Sequence, residues 1–379
     1  MNKHDVIIIG GGSAGLGVAL SESNNIQKSN NVKNRKILLL EKEKLSSKTS
    51  NSSLRIIHGG LRYLQKMDIL RVIESLKAQD ELLKAYPEHI EKLNCIMPLK
   101  KFGLKSKYPM ICASILYNMI SLLITGKSNG AYVGKIKNHK NNIDIINNKE
   151  EYALFWNDAL LKNPLNFAKD LKFELIKKGI EIKENQHVLS VKKENDEFIV
   201  TSLSEIGEKQ EFKCNYVVNT TGPWYSKIEE SHDIKSENDE FKWCKAFNII
   251  LNERATFSEA IGVFGEDNRA FFIVPRDGYI AVGTWYVPFN GSLEDITPTN
   301  DELQAFADSF NKVNLNLKIN KNNIREIEAG ILPMKGIGSA GPTLYGLEKI
   351  SVKDNYIKVL STKYTTFLAQ GRKVSKFIK

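Results

Sequence analysis

Residues 52–64 read Ser-Ser-Leu-Arg-Ile-Ile-His-Gly-Gly-Leu-Arg-Tyr-Leu and bring a histidine, an arginine and a tyrosine (His58, Arg62 and Tyr63) into one short run. An imidazole titrates near neutral pH and can take a proton from a reacting group. A guanidinium is a permanently charged, planar fork suited to carboxylate or phosphate. The phenol can form a wall and donate a hydrogen bond. Each has a plainer alternative: a core histidine shaping the turn before Gly59-Gly60, a surface salt bridge, simple packing. Near the other end, Lys363 precedes Tyr364-Thr-Thr-Phe-Leu-Ala-Gln, which reads as the opening of a helix. A lysine beside a helix N-terminus would stabilise negative charge developing on a bound group.

Elements that could position such chemistry begin almost at Met1. Asp5-Val-Ile-Ile-Ile-Gly10 is an apolar, β-branched run of the kind buried on both faces of a parallel sheet. It leads into Gly10-Gly-Gly12-Ser13-Ala14-Gly15 and then a helical Leu16-Gly-Val-Ala-Leu20. In such a turn Gly10 permits the reversal, Gly12 lets backbone approach a pyrophosphate, and Gly15 allows close packing of helix on strand. The phosphates would sit on the unpaired N–H groups of the helix start. Lys36-Ile-Leu-Leu-Leu40 reads as a second strand, and Glu41 at its end is placed to accept hydrogen bonds from a ribose. The polar segment from Ser23 to Arg35 reads as a solvated insertion between them. The glycine motif fits NAD and FAD alike. It does not recur, so one dinucleotide is expected to do the redox chemistry while a substrate supplies the electrons.

The 379 residues suffice for two domains, and 42% hydrophobic residues can fill their cores. The net charge of +10 arises largely from dispersed lysines. Attraction to anionic substrates or lipids follows more readily than nucleic-acid binding, since no basic helix or aromatic-interleaved basic strip occurs. Four scattered cysteines without a CxxC argue against a metal site or disulfide framework and suit a reducing compartment. With no leader-like start and no run of about 20 apolar residues, the expected location is cytoplasmic, with a membrane surface as a possible station.

The segment from Thr49 to Leu64 resembles the FAD-dependent glycerol-3-phosphate dehydrogenases, a branch of the D-amino-acid oxidase-like flavoproteins. Further motifs follow in the same order: Val217-Val-Asn-Thr-Thr-Gly222-Pro-Trp224, Phe271-Phe-Ile-Val-Pro275, Ile280-Ala-Val-Gly-Thr284, Ala329-Gly-Ile-Leu-Pro333 and Lys363-Tyr-Thr-Thr366. The resemblance implies an α/β architecture: a discontinuous Rossmann-like FAD-binding domain (1–90, 150–225 and 340–379) and an α+β substrate domain with a mostly antiparallel sheet (91–149 and 226–339). It implies catalytic roles for His58, Arg62, Tyr63 and Lys363. It implies FAD contacts from Gly10, Gly12, Ser13, Ala14, Gly15, Glu41, Ser50, Ser52, Ser53, Val188, Thr221, Gly222, Thr365 and Thr366. For the serine loop and Val188, a solvated loop and a core valine are the plain alternatives.

Departures loosen the substrate. The arginine of the family's G-x-R-P motif, which helps hold the substrate phosphate, is Leu332. Trp285-Tyr286 stand where an aspartate is expected, and Ser361-Thr362 replace a glycine pair. The extra C-terminal domain of many relatives is not seen. Arg276 and Arg325 are possible substitutes for the missing arginine, with solvated surface as their default. The expected reaction is oxidation of a small, polar, anionic alcohol by hydride transfer to FAD, with a quinone or oxygen as acceptor. An amine or amino-acid oxidase, or a protein holding FAD for structure alone, are the rivals.

Among the remaining segments, Leu70 to Tyr86 has helical spacing, Pro164 to Ile182 reads as helix, turn and strand, and Asp301 to Val313 as a surface helix. Ser226 to Glu240 reads as a solvated crossing loop. Met110 to Ile124 is apolar except for a stripe of Ser114, Asn118, Ser121 and Thr125, with Lys100, Lys101, Lys105, Lys107 and Lys127 around it. A buried helix of the substrate domain and an interfacial membrane helix both fit that pattern, the former slightly better.

Overall fold

The computed structural model describes all residues except 1, 29–34, 65–66, 139–144, 148–150, 230–240 and 340. The expected crossing loop therefore lies mostly outside the described residues. In chain order the first strands are β1 (Asn2–Ile9), β2 (Ile37–Leu40), β3 (Ile56–Ile57), β4 (Ile90–Pro98), β5 (Tyr132–Lys135) and β6 (Tyr152–Leu161). Then come β7 (Ile180–Lys183), β8 (Gln186–Glu194), β9 (Glu197–Ser204), β10 (Lys209–Asn219), β11 (Lys242–Arg254) and β12 (Ala260–Phe264). The last are β13 (Ala270–Arg276), β14 (Tyr279–Phe289), β15 (Ile324–Gly338), β16 (Gly341–Leu344), β17 (Lys349–Lys353) and β18 (Tyr356–Leu360). The helices are α1 (Ser13–Lys28), α2 (Leu61–Leu64), α3 (Ile69–Ala85), α4 (Lys107–Thr125), α5 (Pro164–Lys177), α6 (Tyr225–Glu229), α7 (Asn300–Asn311) and α8 (Phe367–Ser375).

Two sheets result. The first runs β17-β18-β10-β1-β2-β7, with the β8–β9 hairpin on β10. Its centre, β18-β10-β1-β2-β7, is parallel. Val6, Ile7 and Ile8 of β1 are fully buried because helices or strands cover both faces, which explains a run without alternation. The second sheet runs β16-β15-β11-β14-β13-β12-β4-β6-β3, with β5 on β6. It is antiparallel apart from the β12–β4 pair. The expected fold class is borne out. β3 and β6 fall within the 1–90 and 150–225 segments, yet they join the second sheet.

Local signals explain several helices. Asn163 caps α5 by accepting from the N–H groups of Leu165 and Asn166, with Pro164 at the first helical position. Thr299 and Glu302 close a capping box on α7, whose Phe306 and Phe310 are buried, so this surface helix has one core face. Ser23 to Lys28 continue α1, correcting the expected insertion there; helix spacing carries past the point where polarity rises. α1 crosses α8 at two glycines. A Cβ on Gly17 would lie 2.2 Å from the Phe367 carbonyl oxygen, and one on Gly371 would lie 2.0 Å from that of Gly17.

Candidate active site

The glycine turn sits at the carboxyl ends of the parallel strands, where open α/β sheets bind ligands. Gly10 adopts φ +99°, a region costly for any other residue. A Cβ on Gly15 would fall 1.9 Å from the Gly10 carbonyl oxygen, so helix and turn touch through backbone. Thr220 braces the end of β1, its hydroxyl donating to the carbonyls of Ile9 and Gly10 at 2.8 Å each. Glu41 accepts from the N–H groups of Gly11 at 2.6 Å and Glu43 at 2.9 Å. Burial raises its pKa against the lowering effect of those amides. The start of α1 carries no acidic residue, which leaves its positive end free for an anion.

Residues 49–55 join the two sheets. Ser50 Oγ accepts from the Ser13 N–H at 3.0 Å on the nucleotide side. On the other side Thr49 Oγ1 accepts from the Ile331 N–H at 3.2 Å. The Ser52 carbonyl accepts from Asn248, and that of Ser53 from Arg276 at 3.0 Å. Arg276 also forms a bidentate pair with Glu328 at 2.5 and 2.9 Å, and both are buried. It is therefore a brace for this loop, correcting the solvated default. Arg325 is exposed and lies over the Tyr279 ring.

His58 follows β3 and leans on Phe272, with ring centroids 5.2 Å apart. Its Nδ1 is 2.9 Å from Oδ2 of Asp158, a carboxylate only 3% exposed in the middle of β6. Asp158 also accepts from the Gly59 N–H at 2.7 Å, the Trp156 indole at 3.1 Å and the Gln79 amide at 3.2 Å. Burial alone would raise its pKa, but the hydrogen bonds and charge of His58, with Gly59 and Trp156, hold it below the usual range. An ionised carboxylate only accepts, so Nδ1 carries the hydrogen between them. Sequence spacing could not pair residues 100 positions apart. The available signal was a single acid inside the apolar run Tyr152–Leu161.

Arg62 and Lys363 converge on Tyr63. The Arg62 Cζ lies 5.1 Å, and the Lys363 Nζ 4.7 Å, from the ring centroid. Arg62 also donates to the Tyr63 hydroxyl at 3.3 Å. Burial would raise the phenol's pKa, but the two cations bring it below its ordinary value. The Lys363 ammonium is buried with no hydrogen-bond partner among the described residues. Tyr286, beside Arg62, is pushed up by burial. Its neighbour Trp285 turns the other way and stacks on Phe306 and Phe271.

The remaining expected positions are placed as follows. Thr221 donates to Asn219 at 2.7 Å, and Gly222 follows at φ +62° with open space where a Cβ would stand. Thr365 and Thr366 are buried at the start of α8, while Lys363 lies four residues before that helix. Val188 is buried in β8, in the first sheet. Leu332 is half-buried in β15 opposite Cys244.

A parallel nucleotide sheet joined along one loop to an antiparallel sheet bearing a His–Asp pair defines a dinucleotide-dependent oxidoreductase. The chain belongs to the DAO family of FAD dependent oxidoreductases, whose family model matches residues 5–345. It is similar to the D-erythritol 1-phosphate dehydrogenase of Brucella abortus, at 25% identity over 96% of this chain and 71% of that protein. It is also similar to the glycerol-3-phosphate dehydrogenase of Synechocystis, at 26% identity over 98% and 69% respectively. In fold it matches the FAD-bound L-alpha-glycerophosphate oxidase of Mycoplasma pneumoniae, with a TM-score of 0.72, 15% identity, and coverage of 100% of this chain and 95% of that one. FAD is the cofactor. The buried Lys363 ammonium over the Tyr63 ring and the start of α1, with no acidic residue in its first turn, are features that an anionic, pyrophosphate-bearing flavin satisfies.

Proposed function

We propose that this chain oxidises a small anionic alcohol of the polyol-phosphate kind. The observation that carries the reading is the His58–Asp158 pair, whose carboxylate orients the imidazole to offer Nε2 as proton acceptor while also acting on the charge of Arg62. The division of the chain into a discontinuous FAD domain and an inserted substrate domain belongs to the same reading.

FAD, when bound, supplies the two-electron acceptor for the substrate C–H bond. Gly10, Gly12, Ser13, Ala14 and Gly15 would hold its pyrophosphate and Glu41 its ribose. Ser50, Ser52, Ser53, Val188, Thr221, Gly222, Thr365 and Thr366 would line the rest. Arg62 orients the substrate anion, and Tyr63 walls the site. His58 takes the hydroxyl proton at Nε2 while Asp158 stabilises the resulting imidazolium. Lys363 offsets negative charge on the far side. The acceptor that reoxidises the protein is a quinone or oxygen, and a membrane surface is its proposed partner.

The test is anaerobic bleaching of the flavin absorbance by glycerol 3-phosphate and D-erythritol 1-phosphate, against glycine and proline. Bleaching by the phosphates is expected. Bleaching only by the amines overturns the reading, and Leu332, in place of a phosphate-binding arginine, is the residue that gives this rival its standing. No bleaching by any of them favours FAD held for structure alone.

A further inference from the structure

α4 is amphipathic in the inverted sense. Ser114 and Ser121 are buried, and their hydroxyls donate to the carbonyls of Ile111 and Lys127. Asn118 exchanges two hydrogen bonds with the backbone of Ala131. Tyr117 is fully buried. The polar stripe thus faces the protein, and the apolar one faces out. Tyr108, Ile115, Leu116, Met119, Leu122 and Leu123 are all exposed, Met119 at 57% and Leu123 at 81%. They recur at helical spacing and make one face. The loop before the helix extends it with Phe102 and Leu104, 86% and 79% exposed. A contiguous outward apolar face of this kind is unfavourable in water and marks a surface that something covers.

Charge identifies the occupant. From residue 99 to residue 131 there is no Asp or Glu, and Lys100, Lys101, Lys105, Lys107 and Lys127 flank the apolar face at both ends. Lys100, Lys101 and Lys127 are exposed. Burial pushes the Lys105 pKa down to about 8, which leaves it mostly charged at neutral pH. An apolar strip with cations at its edges matches an acyl-chain surface under anionic headgroups. Although α4 is long and apolar enough to cross a bilayer, the inward hydrogen bonds of Asn118 and the buried Tyr117 hold one side on the protein. It can lie in the interface but not pass through it.

We infer that the outer face of α4, with Phe102 and Leu104, docks the protein in-plane on an anionic lipid surface. This names the surface that meets the membrane partner proposed above, and its test needs no turnover. The FAD-loaded full chain is floated with phosphatidylcholine vesicles, with and without phosphatidylglycerol. Co-flotation is expected with the anionic vesicles and should fall at least tenfold in high salt. Met119→Asp with Leu123→Asp should abolish flotation while retaining bound flavin. Lys100→Glu with Lys101→Glu should remove the preference for phosphatidylglycerol. Failure of the parent to float, or unchanged flotation of the Asp variant, overturns the inference. So does a parent that forms dimers in sedimentation which the Asp variant breaks, because a second copy would then be the occupant. Flavin bleaching by soluble reductants is a separate readout, so the catalytic proposal can fail while docking stands.

Discussion

Asp158 acts on the chemistry through His58. Replacing it with Asn removes the charge that fixes the imidazole tautomer and stabilises its protonated form. The expected result for Asp158→Asn is flavin reduction slowed by about 10²- to 10⁴-fold, followed by stopped-flow absorbance, with FAD retained. The same carboxylate shapes acid stability. Its folded pKa lies below the unfolded value of 3.8, so its contribution is complete above that value and is lost as pH falls through the folded one. Urea midpoints measured down from about pH 5 should therefore fall more steeply for the parent than for Asp158→Asn. Equal slopes would show that the carboxylate is not held ionised in the fold. His58, Arg62 and Tyr63 stood out in the sequence because imidazole, guanidinium and phenol share one short run, and Lys363 because it precedes a helix start; the fold brings Arg62 and Lys363 together at Tyr63. Asp158 and Gln79 were not legible as partners of the His58 turn, since only folding brings β6 and α3 to it.

At the scale of elements, glycines mark where backbones meet. A Cβ on Gly59 would lie 2.3 Å from the Tyr117 hydroxyl and 3.0 Å from Gln79 Oε1. The His58 turn is thus pressed between α3 and α4. Gly59→Ala should shift this turn and cost roughly 10²-fold in flavin reduction, as small misplacements of a catalytic group do. Flavin bleaching by the best phosphate substrate checks it. Gly371→Ala tests the α1–α8 crossing: the neighbouring atoms are backbone and cannot yield, so a loss of about 1–3 kcal/mol is expected in thermal melts. Apolar runs and glycine turns made β1, β2 and the first half of α1 readable in advance. The direction in which α4 turns its apolar face was not readable. Periodicity reports that two faces differ but not which one meets the protein, and here the less usual orientation holds.

Across the whole molecule, residues 49–55 tie the nucleotide sheet to the antiparallel one. NADH should leave the flavin oxidised, and the cofactor released by heat should be FAD. Added FAD should raise the melting temperature as a ligand of the folded state does. An NADH-dependent bleaching would overturn the expectation that a substrate, and not a nicotinamide, supplies the electrons. Arg276 and Glu328 tie the serine loop to the second sheet, so Glu328→Gln should weaken flavin retention on dialysis.

The order of the chain also sets a timetable for synthesis. β1 and the glycine turn leave the ribosome well before β18, Lys363 and α8. β10 pairs with β1 on one side and with β18 on the other. A nascent chain therefore exposes the flank of β10, and lacks Lys363, until the β18–α8 segment has emerged. Firm capture of the flavin therefore waits for that segment, and a chain cut short before Lys363 is expected to be colourless.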